Sequence, residues 1–160
     1  MKKSILIFLI IVCLLFSGCS FLSNTPSSTE MAKSVLKCFD NDDVEGLKSL
    51  FCEEILSNIN NLDEQIEEAF EFYEGKSEEI GPITTASQKS VRNGVVVKKT
   101  ATPRIPIYNT DEGKEYVISI RMFTENKDNP DLIGINKINI YVRNNDGDFE
   151  LAKEIGKLIP

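Results

Sequence analysis

Leu62-Asp-Glu-Gln-Ile-Glu-Glu-Ala-Phe-Glu-Phe-Tyr-Glu-Gly75 is the last stretch of this chain with a helical repeat, and after it the apolar residues recur with period two. Leu62, Ile66, Ala69, Phe70 and Tyr73 share one helical face, and Gly75 supplies the stop. Two helices are predicted before it. Ser27 and Glu30 have capping-box spacing ahead of Met31, Ala32, Val35, Leu36 and Phe39, which defines a helix ending near Asp40. Asp42 and Glu45 repeat that spacing, and Val44, Leu47, Leu50 and Phe51 form the next stripe, so a second helix packs on the first as a hairpin. Ile55, Leu56 and Ile59 add a further turn of helix.

Downstream of Gly75, Asn93-Gly94 lies between the segments Ala86 to Arg92 and Val95 to Thr100. This dipeptide supplies the positive φ angles of a two-residue hairpin. A turn at Thr110 to Gly113 precedes Tyr116, Ile118, Ile120 and Met122 on alternate positions, the pattern of a half-buried strand. A loop from Asn126 to Asp131 follows. Ile133 and Ile135 then share one parity, whereas Ile138, Ile140 and Val142 share the other. One extra residue near Asn136 to Lys137, a β-bulge, keeps both sets on the core face. Asn144 to Gly147 turns the chain into a last strand around Phe149 and Leu151. The expected fold is α+β, N-terminal helices followed by a meander of long, bent antiparallel strands. Residues 30–160, roughly 130 in number, suffice for one domain with one core.

The N-terminus reads as an address. Lys2 and Lys3 precede an unbroken apolar run from Ile5 to Phe16, too short for a bilayer span of roughly 20 residues, and small Ser17 and Gly18 lead into Cys19. These are the parts of a secretory signal, here residues 1–18. Ser17-Gly18-Cys19 resembles the bacterial lipobox, with Phe16 where that pattern favours Leu. The resemblance implies that Cys19 receives a diacylglyceryl group and becomes the mature N-terminus. Residues 19–29, Pro-broken and rich in Ser, read as a flexible tether. The expected location is the extracytoplasmic face of the cell membrane, held there by acyl chains on Cys19.

Charge sets further limits. The chain carries 18 Lys+Arg against 25 Asp+Glu, and removing residues 1–18 with their two lysines leaves a formal charge of −9. An acidic chain lacks the positive footprint that nucleic acid or an anionic lipid surface needs. No nucleic acid is therefore expected as a partner, and the anchor must supply the membrane attachment.

Phe39-Asp-Asn-Asp-Asp-Val-Glu-Gly-Leu-Lys-Ser-Leu-Phe51, a short two-helix entry into such a meander, resembles the nuclear transport factor 2-like, or cystatin-like, superfamily. That resemblance implies N-terminal helices packed in the concavity of a bent antiparallel sheet, which curves around the third helix into a cone. Together with the 62–72 segment and Ser90-Val-Arg-Asn-Gly-Val-Val-Val-Lys-Lys99, it also resembles a family of domains of unknown function on Gram-positive lipoproteins, which implies no activity. Residues 52–61 are too few for the hairpin that superfamily members often insert before the third helix.

The chain contains no histidine, which removes Ser-His-Asp and Cys-His catalysis and imidazole-dependent metal sites. Superfamily enzymes place an Asp, Tyr or His inside the cone, so an isomerase or dehydratase reading rests here on Tyr73 and Tyr116 as pocket groups. The other reading makes both of them core residues with satisfied hydroxyls. Asp40, Asp42, Asp43 and Glu45 fail the calcium-loop template at Val44 and Glu45 and suit helix capping. Glu64, Glu67, Glu68, Glu71 and Glu74 make an acidic stripe, either a solvated face or a dock for a basic partner. Cys38 and Cys52, the remaining mature thiols, suit either a disulfide or two buried free thiols. No metal, cofactor or catalytic residue is assigned. The expected function is a non-catalytic domain binding an unspecified small molecule or envelope protein, with a small-molecule enzyme as the alternative.

Overall fold

The computed structural model describes residues 26–156. The signal segment 1–18, Cys19 and the tether up to residue 25 lie outside the described residues, as do residues 157–160. Four helices, α1 (Ser28–Asp40), α2 (Val44–Ser49), α3 (Glu53–Asn58) and α4 (Leu62–Phe72), precede six strands. These are β1 (Ser77–Ile80), β2 (Thr84–Arg92), β3 (Val95–Thr110), β4 (Tyr116–Asn126), β5 (Gly134–Arg143) and β6 (Phe149–Ile155), with a 3-10 turn at Pro130–Leu132. The fold is α+β, and the strands form one antiparallel sheet that is not closed. No helix among the described residues is long and apolar enough to cross a membrane.

The capping box at the start of α1 is formed as its spacing predicts. Ser27 Oγ accepts from the Glu30 amide at 3.2 Å, and Glu30 Oε2 accepts from the Ser27 amide at 2.8 Å. α1 begins at Ser28, within the tail of the segment assigned to the tether. The second cap falls one residue later than the spacing suggests. Asp43, not Asp42, caps α2, its Oδ1 accepting from the Gly46 amide at 2.8 Å. The tight turn between α1 and α2 needs a left-handed residue, and Asp42 takes that role at φ 53°. Asp and Asn tolerate this conformation better than other side chains, so the capping position passes to the next acid.

β3 is the spine of the sheet. It pairs with β4 on one side, while its other side is shared by β2, up to Arg104, and β1, from Ile107. The strand runs well past Thr100, the end of the segment expected after the Asn93-Gly94 turn, and through Pro103 and Pro106. Both prolines sit near the change of partner, where a missing N–H interrupts little of the ladder. The Asn93-Gly94 turn has φ angles of 52° and 77°, as a two-residue hairpin requires.

The bulge in β5 is where the parity change places it. Arg121 pairs with Lys137 and Met122 with Ile135, leaving Asn136 as the extra residue. Ile135, Ile138 and Ile140 are consequently all fully buried. Not every apolar strand residue turns inward. Ile133, Phe149 and Leu151 are 37%, 42% and 51% exposed, because Ile133 precedes β5 and a register shift at Ala152 puts Leu151 and Phe149 on the other face from Ile155, whose numerical parity they share.

The helices cover a single face of the sheet. α1 packs against β3 and β4, and α4 against β6. Val35, Leu47, Ile66 and Ala69 from the helices meet Ile105, Ile107, Ile118, Ile120 and Met122 from the strands with no exposure. The link between α2 and α3 fastens onto β5 directly, since the Cys52 amide donates to the Ile135 carbonyl at 2.9 Å and Phe51 bridges the same residue. Gly134, at φ 121°, permits this approach, for a Cβ there would lie 3.3 Å from Cys52 Cα. Among the described residues the core runs from Met31 to Ile155, so residues 26–160 carry the whole of the described core.

Ser27→Ala removes the cap and is expected to cost about 1 kcal/mol in thermal or urea unfolding of residues 26–160. The backbone and side-chain bonds to Ser27 hold the Glu30 carboxyl below its ordinary pKa. A lowered folded-state pKa gives stability that is present above the unfolded value and lost as pH falls through the folded one. The gap between the wild type and Ser27→Ala should therefore narrow in acid.

Candidate functional site

Tyr73 and Tyr116 come together where α4 ends, with ring centroids 4.8 Å apart, and both are buried. Phe39 extends the cluster, stacking on Phe70 at 4.8 Å and contacting Tyr73 at 5.2 Å. The Tyr116 hydroxyl donates to the Phe72 carbonyl at 3.2 Å and accepts from the Glu74 amide at 3.1 Å. It therefore satisfies two backbone groups that the end of a helix leaves open. Tyr73 donates to Asp40 Oδ1 at 3.5 Å, and Asp40 also accepts from the Ser77 amide at 2.9 Å and the Ser77 hydroxyl at 2.6 Å. Burial, reinforced by the Asp40 charge, pushes the Tyr73 hydroxyl well above its ordinary pKa. Burial raises Tyr116 as well. Both phenols stay neutral across the physiological range, serving as structural ties between α1, α4 and β4.

The two thiols are buried and free. Cys38 lies on α1, and burial raises its pKa, with the Asp43 charge adding to the effect. Cys52 caps α3, and its sulfur accepts from Asn136 Nδ2, the bulge residue, at 2.9 Å. Burial raises this thiol too, against the opposing effect of its hydrogen bonds. High pKa values and poor access make both thiols slow nucleophiles. The acidic stripe on α4 is exposed along its length. Glu68 pairs with Lys153 at 2.9 Å and Glu74 with Lys114 at 3.1 Å. Asn144 turns the β5–β6 hairpin by accepting from the amides of Asp146 and Asp148. Among the described residues no three metal-ligating side chains gather.

A cavity with polar chemistry lies on the opposite face of the sheet, away from the helices. Ala86, Gln88 and Ser90 of β2 face Thr102, Thr100 and Lys98 of β3 as direct cross-strand pairs, and Thr100 in turn faces Phe123 of β4. With Arg121 these residues line a groove of about 500 Å³. Phe123 forms an apolar floor, and Lys98 Nζ sits 5.4 Å from its ring centroid, within cation–π range. No acid lines the groove. Neither Lys98 nor Arg121 makes an ion pair among the described residues. Two uncompensated cations ringed by hydroxyl and amide groups suit an anion that also carries hydrogen-bonding groups.

Periodicity does not reveal this groove, because every residue of β2 is exposed and its neighbours come from strands apart in sequence. A charge signal does mark it. Between Glu79 and Asp111 the chain carries Lys89, Arg92, Lys98, Lys99 and Arg104 and not one acid, although its formal charge is −7. β2 and β3 thus form a purely basic stretch within an acidic protein.

Residues 34–144 match the model of a family described as a domain of unknown function (DUF5104). The match runs from within α1 to the turn after β5 and includes the whole groove. No curated protein matches the chain.

Tyr116→Phe should destabilise the domain by about 1–3 kcal/mol, since it strands the Glu74 amide and the Phe72 carbonyl, while leaving the groove unchanged in amide spectra. Alkylation of the unreduced native protein should be slow at Cys38 and Cys52, and both should label once it is unfolded. Intact mass reads the number of labels, and an unreduced chain that resists labelling after unfolding would mean a disulfide.

Proposed function

We propose that this chain, which belongs to the DUF5104 family, is a lipid-anchored, extracytoplasmic, non-catalytic binding domain that takes an anionic ligand in the groove between β2, β3 and β4. Residues 1–18 are its signal peptide, Cys19 its acylated N-terminus, the residues from there to Pro26 its tether and the remainder, from the Ser27 cap onward, its single domain. The observation that carries the binding role is the groove itself. An acid-free surface with unpaired Lys98 and Arg121 is costly to retain in a chain so rich in acids. Like charges brought together stabilise nothing until a counter-charge arrives.

The finer likeness to a nuclear transport factor 2-like cone belongs to the same proposal. It is supported by helices confined to one face and by register shifts in every strand pair, which bend the strands that carry them. In such a cone the enzymatic alternative would use Tyr73 and Tyr116. Against it stand the hydroxyl of Tyr116, engaged by two backbone groups, and that of Tyr73, turned to a carboxylate that already holds Ser77. The groove leaves its polar groups free.

Titration of labelled residues 26–160 with inorganic phosphate and then with sugar phosphates should shift amides of β2, β3 and β4 around the groove. Arg121→Gln or Lys98→Gln should weaken that binding about tenfold each, the value of one charge-assisted hydrogen bond. Shifts confined to the surroundings of Tyr73 and Tyr116 would overturn the groove and favour the enzyme. The anchor is read independently. The chain made in a bacterial host should partition into the detergent phase with a lipid-modified N-terminal peptide by mass spectrometry, and Cys19→Ala should abolish that modification.

A further inference from the structure

The tip of the β2–β3 hairpin combines two features that binding in the groove does not use. Val91 and Val95 flank the Asn93-Gly94 turn and are 55% and 52% exposed. Lys89 and Lys99 stand directly opposite each other across the hairpin, a placement of like charges that weakens a strand pair. Arg92 is matched by Asp128 at 3.1 Å and Lys127 by Glu125 at 3.3 Å. Neither Lys89 nor Lys99 makes an ion pair among the described residues, although Lys99 also faces Glu125, the partner of Lys127, across β3 and β4. Around the tip Lys89, Arg92, Lys98, Lys99 and Lys127 outnumber Glu125 and Asp128, so it presents exposed apolar side chains beside an excess of positive charge.

The path of the chain adds a constraint. Pro26 and Ser27 border a depression shared with Ser87 and Lys99, so the polypeptide enters the domain beside this hairpin. From Cys19 to Pro26 the seven intervening steps span at most about 25 Å when fully extended. An acyl group on Cys19 would keep the hairpin root within that distance of the headgroups. This step rests on the anchor proposed above, whereas the charge and exposure of the tip do not.

We infer that the hairpin tip, through Lys89, Lys99, Val91 and Val95, is a contact surface for an anionic phospholipid bilayer. The negative surface potential draws in the two lysines, and the valines enter the interfacial layer as the apolar part of the contact. The acidic remainder of the domain is repelled by the same potential, so the contact also fixes orientation. The hairpin is then the part of the domain that points at the lipid.

The test uses labelled residues 26–160, which lack Cys19, so its outcome is separate from that of the anchor. Bicelles of phosphatidylcholine with added phosphatidylglycerol should broaden and shift the amides of residues 89–99, and neutral phosphatidylcholine bicelles should not. Added salt should reverse the effect. Lys89→Gln and Lys99→Gln should each reduce the apparent affinity on the order of fivefold, with Arg121→Gln leaving it unchanged. Equal response to both bicelles, or none, would overturn the inference. So would matching shifts of the same residues with soluble polyphosphate at equal charge concentration, which would make the tip a site for polyanions rather than for a bilayer.

Discussion

The arrangement of this domain depends on burying one face of its sheet and leaving the other open. Ile105, Ile107, Ile118, Ile120, Met122, Ile138 and Ile140 project to one side, fully removed from water. At about 1.5–3 kcal/mol for each large aliphatic side chain, this is the main stabilising contribution, and it compels the helices onto that side alone. Register then becomes critical, since a slip of one residue would exchange the faces. The bulge at Asn136 keeps the isoleucines of β5 inward despite their change of parity. The same residue donates to Cys52 Sγ and to the Leu132 carbonyl at 3.2 Å. One irregularity thus aligns the sheet and receives the helical layer.

The aromatic cluster secures the point where helix gives way to strand. Tyr116 reaches from β4 to the end of α4, and Asp40 reaches from the end of α1 to the first residue of β1. These bonds place polar atoms inside a largely apolar region, where leaving them unmet would cost more than making them gains. Their cooperation explains why two tyrosines that look like pocket residues in a linear reading act as fasteners. It also moves the search for function to the uncovered face, where the groove and the hairpin tip have no structural duty for their charges.

Much of the architecture was legible in sequence because apolar periodicity records burial. The three principal helices, the short α3, the Asn93-Gly94 turn and the β5 bulge all follow from it. The exceptions have local causes. The cap of α2 moved from Asp42 to Asp43 because the turn claimed Asp42 for a left-handed angle. β3 runs through two prolines because its partner changes beside them. Phe149 and Leu151 are apolar and yet exposed, so a pattern of hydrophobicity alone assigned them to a strand without telling which way they face. The groove was illegible to periodicity for a related reason: Gln88, Thr100 and Arg121 come from three strands and meet only across the sheet.

The sequence by itself determined the order of helices and strands, the point at which one period replaces the other, and the absence of imidazole chemistry. These are properties of residue identity and spacing, fixed before the chain folds. Only the tertiary structure decided that the Tyr116 hydroxyl closes the end of α4, that Lys98 and Arg121 share one acid-free groove, and that Lys89 faces Lys99 beside the point where the chain enters. Strand pairing brings together residues remote in sequence, and their electrostatics exist only once that pairing is made.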